Sequence, residues 1–311
     1  MPAVAGTFYP ADPRRLGDLV DDLLAAATGV APFEGPLAGL LVPHAGLVYS
    51  GAVAATAWRL LAARGSAHGS AAEQGPAQGS PSGPGPATGP GPGPRTVVVL
   101  GTNHGAAWLD GVGIWPAGAW RTPLGDVDVD ADLATAILGL GEPFVVDREA
   151  HVGEHSIEVQ LPIVRVVAPD LRIVPLAVST GIGPEAIAAG ERLGALLIGG
   201  RAAGARVILA ISSDMAHYPA ATACDEVTRR LLPAILGRDA PELARLEPAV
   251  RRAGIPGLVC GMCGIEPTVL GLAALAAAGV GPGVALASAT SADGGGPADR
   301  TVGYLAVAFP W

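Results

Sequence analysis

Three short apolar runs in this chain of 311 residues lead directly into histidine or aspartate. Residues 37–42 are followed by Pro43-His44-Ala45-Gly46. Residues 96–100 are followed by Gly101-Thr102-Asn103-His104-Gly105. Residues 206–211 are followed by Ser212-Ser213-Asp214-Met215-Ala216-His217. The flanking residues are small and leave room for a bound group. Neutral imidazole is the commonest metal ligand, and two imidazoles with one anionic ligand suit iron, zinc or copper. A lone histidine so placed is ordinarily a structural hydrogen-bonding residue. Three such groups at the ends of apolar runs point to a functional cluster instead. Of the six histidines, His44, His104, His151, His155 and His217 lie in loops or at helix starts, and only His68 lies elsewhere.

An anionic third ligand has several candidates. Cys260 and Cys263 form a C-x-x-C ahead of an Ala/Leu-rich helix. A helix N-terminus favours thiolate, so Cys263 is expected to be a ligand or a nucleophile. A zinc knuckle needs a second such pair, which the chain lacks. Cys224 falls in an apolar helical pattern and reads as core. Glu154-His155-Ser156 offers an acid/base group or an outer partner for a ligand, with Ser156 as a helix cap. Arg121, in Arg121-Thr122-Pro123-Leu124-Gly125, either binds an anionic group or pairs with a surface carboxylate. A zinc hydrolase built on His44, His104 and Asp214 is a further reading of the same residues.

The elements that must position these groups alternate. Residues 37–42, 96–100, 172–178, 206–211, 284–289 and 302–308 read as buried strands. Residues 13–27, 52–63, 131–138, 157–167, 184–197, 223–236 and 267–277 read as helices, with Pro184 and Pro267 in first turns. Continuous apolar strands between helices predict an α/β three-layer sandwich. Its sheet is mostly parallel or mixed and is covered by helices on both faces. Sites in such sheets form at the carboxyl ends of strands.

Composition narrows the field. Hydrophobic residues make up 50% and charged residues 15%, so the chain can bury a large core. All 19 basic residues are arginine, which excludes lysine-dependent chemistry. A net charge of −9 without a basic block argues against nucleic-acid binding. There is no secretory signal and no apolar run of about 18 residues, so no membrane span is expected. The 3 cysteines fit a reducing cytoplasm. Residues 65–94 hold no branched aliphatic or aromatic side chain and read as a disordered Gly/Pro-rich loop inserted in a single domain spanning 1–311.

Taken in order, these motifs resemble the Memo family, also labelled AmmeMemoRadiSam system protein B. The matching pieces are Pro2-Ala3-Val4-Ala5-Gly6-Thr7-Phe8-Tyr9-Pro10, Pro43-His44-Ala45-Gly46, Tyr49-Ser50-Gly51, Gly101-Thr102-Asn103-His104 and Arg121-Thr122-Pro123-Leu124-Gly125. They continue with Glu154-His155-Ser156-Ile157-Glu158-Val159-Gln160-Leu161-Pro162, Ser212-Ser213-Asp214-Met215-Ala216-His217, Cys263-Gly264-Ile265-Glu266-Pro267 and Asp299-Arg300-Thr301-Val302-Gly303-Tyr304. The resemblance implies a fold similar to class III extradiol dioxygenases, in which two histidines and a glutamate hold iron. It implies metal ligands His44, His104 and Cys263, with iron or copper bound and zinc less favoured. Cys260 is the competing sulfur, and Pro267, four residues after Cys263, favours Cys263. Glu266 is a nearby carboxylate, but its place in a starting helix turns it away from the same point. His217, Asp214 and His155 match pocket residues, with His217 as a proton relay that Asp214 orients. The implied partners are an unknown small-molecule substrate, a radical S-adenosylmethionine protein and an AMMECR1-type protein. The implied function is metal-dependent oxidoreduction, or a non-catalytic role in binding metal or peptide.

Overall fold

Twelve strands and eight α-helices occur among the described residues of the computed structural model, which are 2–27, 35–62, 96–202, 204 and 206–311. The insert expected at 65–94 lies outside them. The strands are β1 (Leu37–Val42), β2 (Thr96–Thr102), β3 (Gly111–Ile114), β4 (Ala119–Thr122), β5 (Gly125–Asp128), β6 (Phe144–Val146), β7 (Arg172–Ser179), β8 (Val207–Ser212), β9 (Met215–His217), β10 (Cys260–Met262), β11 (Val284–Thr290) and β12 (Gly303–Pro310). The helices are α1 (Pro13–Ala26), α2 (Leu47–Trp58), α3 (Ala131–Leu138), α4 (Leu161–Val167), α5 (Pro184–Ala202), α6 (Ala221–Gly237), α7 (Ala240–Arg251) and α8 (Ile265–Ala277).

Eight of the strands form one mixed sheet in the order β11-β12-β1-β8-β2-β7-β3-β6. Its centre, β1-β8-β2-β7, is parallel. The β11–β12, β12–β1 and β7–β3 pairs are antiparallel. Strand pairs β4–β5 and β9–β10 stand outside the main sheet.

The central strands are buried on both faces, which is why they read as unbroken apolar runs. Alternate residues of a strand feed opposite cores. In β2, Val98 and Leu100 join a core with Leu193 of α5 and Leu270 of α8. Val97 and Val99 join the other core, with Leu16 of α1 and Trp58 of α2. Helices α3 and α5–α8 therefore cover one face, and α1, α2 and α4 the other, giving the expected three layers. Helix α8 is seated by glycine: a Cβ at Gly194 or Gly190 of α5 would collide with the backbone oxygens of Ala274 and Leu270. Among the described residues, no helix is long and apolar enough to cross a membrane.

Differences from the sequence reading have local causes. The 157–167 segment divides into a 3-10 turn, Glu158–Gln160, and α4, with Pro162 in the first turn of the latter. Helix α7 was not anticipated, although Asp239 caps it by accepting from the Glu242 N–H at 2.9 Å and Pro241 sits in its first turn. Strands β3, β6, β9 and β10 have only 3 or 4 residues, too few for a periodic signal.

Strands β1, β8 and β2 are neighbours, with Val42 opposite Ser212 and Leu100 opposite Ile211. Their carboxyl ends are level, so the loops bearing His44, Asp214 and His104 emerge side by side.

Candidate metal centre

Cysteine reaches this row of loops through the small β9–β10 pair. After Asp214 the chain forms β9, which pairs antiparallel with β10; Cys260 lies opposite His217 and Met262 opposite Met215. The Cys263 N–H then donates to the Asp214 carbonyl at 3.2 Å, and the Asp214 N–H donates to Cys263 Sγ at 3.3 Å. Gly264 must follow. A Cβ there would lie 2.6 Å from Ser213 Cβ and 2.7 Å from the Ser212 carbonyl oxygen. The sulfur beside His44 is therefore that of Cys263, with Sγ 3.1 Å from His44 Nε2.

The orientation of His44 follows from its neighbours. Its Nδ1 lies 2.9 Å from Ser212 Oγ. That hydroxyl spends its one proton on the Ser156 carbonyl at 2.7 Å. It can therefore only accept from the imidazole, so Nδ1 carries the proton and the Nε2 lone pair faces the sulfur. Gln160 reinforces the arrangement. Its oxygen accepts from Trp58 Nε1 at 2.7 Å, which turns its amide nitrogen toward the Pro43 carbonyl at 2.8 Å and Ser212 Oγ at 3.2 Å. Burial holds His44 well below the ordinary imidazole range, and His155 and His104 push the same way. A neutral His44 with a free Nε2 is the form that ligates metal.

His104 is prepared by a carboxylate. Its Nδ1 lies 2.9 Å from Glu154 Oε1, and its backbone N–H donates to Oε2 at 2.8 Å. The Ser156 N–H donates to Oε1 at 2.8 Å. Burial would raise the Glu154 carboxyl, but the hydrogen bonds from His104 and Ser156 outweigh it and bring it down to about 2. Nδ1 of His104 thus donates to a carboxylate and Nε2 is left free, the arrangement by which an outer carboxylate orients a ligating imidazole. Glu154 is thus engaged by His104 and Ser156.

His155 stacks on His104 with ring centres 4.5 Å apart and also packs against Phe8, whose tilted ring is centred 4.5 Å away. Among the described residues, ligand atoms within 4.8 Å of one another fall into two groups, His44–His104–His155 and His44–Asp214–Cys263. The expected set of His44, His104 and Cys263 spans both groups and meets at His44.

Asp214 Oδ1 accepts from the backbone N–H groups of His44 at 2.7 Å and Ala45 at 3.3 Å. It fixes the His44 loop, and no hydrogen bond joins it to His217 among the described residues. Burial pushes its carboxyl up to about 7 against those two bonds. His217 Nε2 is buried without a partner among the described residues. Burial brings His217 down to about 4, with His104 and His155 adding to the shift, so its imidazole is neutral near pH 7. Burial also pushes the Cys263 thiol well up, and Asp214 adds to it. Burial and Asp214 thus work against the thiolate that the start of α8 favours.

The remaining candidates disperse. Glu266 takes the backbone N–H groups of Thr180 and Gly181 and so turns away from the sulfur. Cys224 is core. Arg121 forms an exposed pair with Asp126 at 3.1 Å. Ser156 donates to the Thr102 carbonyl at 3.0 Å, tying its loop to the end of β2 instead of capping a helix. His151 lies outside the cluster. It packs edge-on against Trp115 and Trp120, which also touch each other, and contacts the Gly113 carbonyl through Nε2 at 3.0 Å.

A pH dependence follows from His151. Burial brings it from 6.5 down to about 4, so the unfolded chain takes up the proton first as pH falls. The stability it contributes is complete above pH 6.5 and is lost between 6.5 and about 4. Over that window His151→Phe is expected to flatten the slope of unfolding free energy against pH by up to ~1.4 kcal/mol per unit. Denaturant unfolding at several pH values checks this, and an unchanged slope contradicts it.

A family model described as "Memo-like protein" matches residues 1–68 and 91–308. A MEMO1 family protein of Methanopyrus kandleri is 32% identical over 318 residues, covering 99% of this chain and 98% of its own. One of Sulfolobus acidocaldarius is 31% identical over 319 residues, with the same two coverages. A crystal structure of a protein from Escherichia coli K12 aligns with a TM-score of 0.46 at 17% identity, over 88% of this chain and 99% of that one.

Proposed function

Since the chain belongs to the Memo-like protein family, we propose that it is a metal-dependent redox protein holding iron(II) or copper on His44, His104 and Cys263. The observation that carries this reading is the 3.1 Å contact between Cys263 Sγ and a His44 Nε2 whose lone pair is turned toward it. Two neutral imidazoles and a cysteine sulfur make a borderline-to-soft donor set, which suits iron, copper and zinc. The first two supply electron transfer when bound. A fold like that of class III extradiol dioxygenases belongs to the same proposal, with Cys263 in place of their glutamate.

The work of the chain itself is positioning. Ser212 and Gln160 keep the His44 lone pair pointed at the sulfur. Glu154 engages Nδ1 of His104 and leaves its Nε2 free. Asp214 holds the His44 loop through its backbone. The Cys263 proton must be released before the sulfur can ligate, and it cannot stay on the adjacent His44 Nε2, whose lone pair is itself proposed to ligate. His217 offers a neutral imidazole edge to a substrate, able to share a proton at Nε2. The thiol reading is preferred to a zinc hydrolase on His44, His104 and Asp214 because Asp214 already spends Oδ1 on two backbone N–H groups.

Oxygen consumption by anaerobically iron-loaded protein, given catechols or simple reductants, tests the redox reading. Uptake that disappears in Cys263→Ser is the expected result. An iron-replete protein that takes up no oxygen would favour the alternative, a metal- or peptide-binding partner of radical S-adenosylmethionine and AMMECR1-type proteins. Co-purification with those proteins is that reading's own signature.

A further inference from the structure

We infer that Glu158 is a positioning residue: it latches the segment from Ala3 to Pro10 as a strap over the imidazole side of the site, with Phe8 as its tip. The Glu158 carboxylate is buried and takes three hydrogen bonds from this one segment. The Ala3 N–H donates to Oε2 at 2.7 Å, the Val4 N–H to Oε1 at 3.0 Å and the Tyr9 hydroxyl to Oε1 at 2.6 Å. These donors lie 149 to 155 positions away in the chain, and Val4 and Tyr9 share a hydrophobic core with Val159 and Leu161. Hydrogen bonds to a charged acceptor are stronger than neutral ones, and a buried Glu158 left without them would be costly.

The strap is a folded unit. The Val4 carbonyl accepts from the N–H groups of Thr7 at 3.1 Å and Phe8 at 2.9 Å, and the Gly6 N–H donates to the Tyr9 carbonyl at 2.7 Å. Gly6 supports this turn with a φ of +89°, which disfavours a side chain. The turn places Phe8 against His155, with ring centres 4.5 Å apart, and the Leu47 N–H donates to the Phe8 carbonyl at 2.8 Å as a second backbone tie to the site. Its outer side lines an open groove of about 560 Å³ together with Arg15, Leu19 and Val48. Phe8 lines that groove and also covers His155, so one residue separates the groove from the histidines.

Glu158 therefore sets where Phe8 stands, and Phe8 sets how much of His155 a ligand entering from the groove can reach. The inference concerns the chain alone and holds whether or not an ion is bound.

Carbethoxylation of individual histidines by diethylpyrocarbonate, mapped by mass spectrometry on metal-free protein, tests it. Glu158→Ala is expected to speed modification of His155 by about tenfold, the scale of losing a hydrogen bond to a charged group. Phe8→Ala should do the same, and the double variant should be no faster than Phe8→Ala. His151, buried and away from the strap, reports general unfolding and should keep its wild-type rate. Glu158→Gln, which keeps the shape and one acceptor oxygen, should fall between wild type and Glu158→Ala. An unchanged His155 rate in Glu158→Ala and Glu158→Gln overturns the inference. So does a rise at His151 that matches the rise at His155.

Discussion

His44→Ala will abolish tight metal binding. The loss should exceed the about 10–100-fold that accompanies removal of an outer partner. His44 Nε2 is the donor shared by both ligand groups, so its removal leaves only His104–His155 and Asp214–Cys263. A pair of donors without the third holds a divalent ion weakly. Cys263→Ser should be milder, because the three-imidazole group survives it. The order of affinities is thus wild type, then Cys263→Ser, then His44→Ala, measured by equilibrium titration with Co2+ as a spectroscopic stand-in. His44 is buried, and its loss leaves Ser212 Oγ without the imidazole N–H. A denaturant unfolding curve for each variant separates lost ligation from lost structure.

Glu154→Gln carries the second largest effect. The carboxylate accepts from the backbone N–H groups of His104 and Ser156 and from His104 Nδ1. An amide offers one acceptor oxygen and turns an NH2 group toward donors that have nowhere else to go. Metal affinity should fall about 10–100-fold. Stability should fall by about 1–3 kcal/mol, the cost of buried groups left unpaired. The pH dependence changes as well. The native carboxyl titrates near 2 and the unfolded one near 4.5, so its stabilisation is present above pH 4.5 and is lost as pH falls toward 2. Acid unfolding of Glu154→Gln should lack that component. Equal affinity for Co2+ in wild type and Glu154→Gln would show that Glu154 does not prepare His104.

The sequence made the ends of the strands legible because parallel strands buried on both faces cannot carry polar residues until they leave the sheet. His44, His104 and Asp214 stand out for that reason, and the adjacency of β1, β8 and β2 turns three separate motifs into one row. Cys263 was legible through its place before α8, but its protonation was not. The helix start argues for thiolate, while burial and the neighbouring Asp214 push the thiol up. The residues that set the tautomers could not be read. Ser212 shows in the sequence only as part of a strand-end motif, and Gln160 only as part of a helical run and of the motif from Glu154 to Pro162. Their meaning depends on partners more than 50 positions away, such as Ser156 for Ser212 and Trp58 for Gln160. The β9–β10 pair was invisible because strands of 3 residues have no period, yet it is what carries Cys263 to His44. Helix α7 was hidden by its polarity and by Pro248 in its interior, although its Asp239 cap was available as a signal.

The central claim is that an ion sits where His44, His104 and Cys263 meet. Elemental analysis of anaerobically purified wild type beside His44→Ala and Cys263→Ala tests it most directly. The account predicts iron or copper in the wild type at a constant ratio to protein, reduced in Cys263→Ala and lost in His44→Ala. Metal content unchanged in both variants would contradict it.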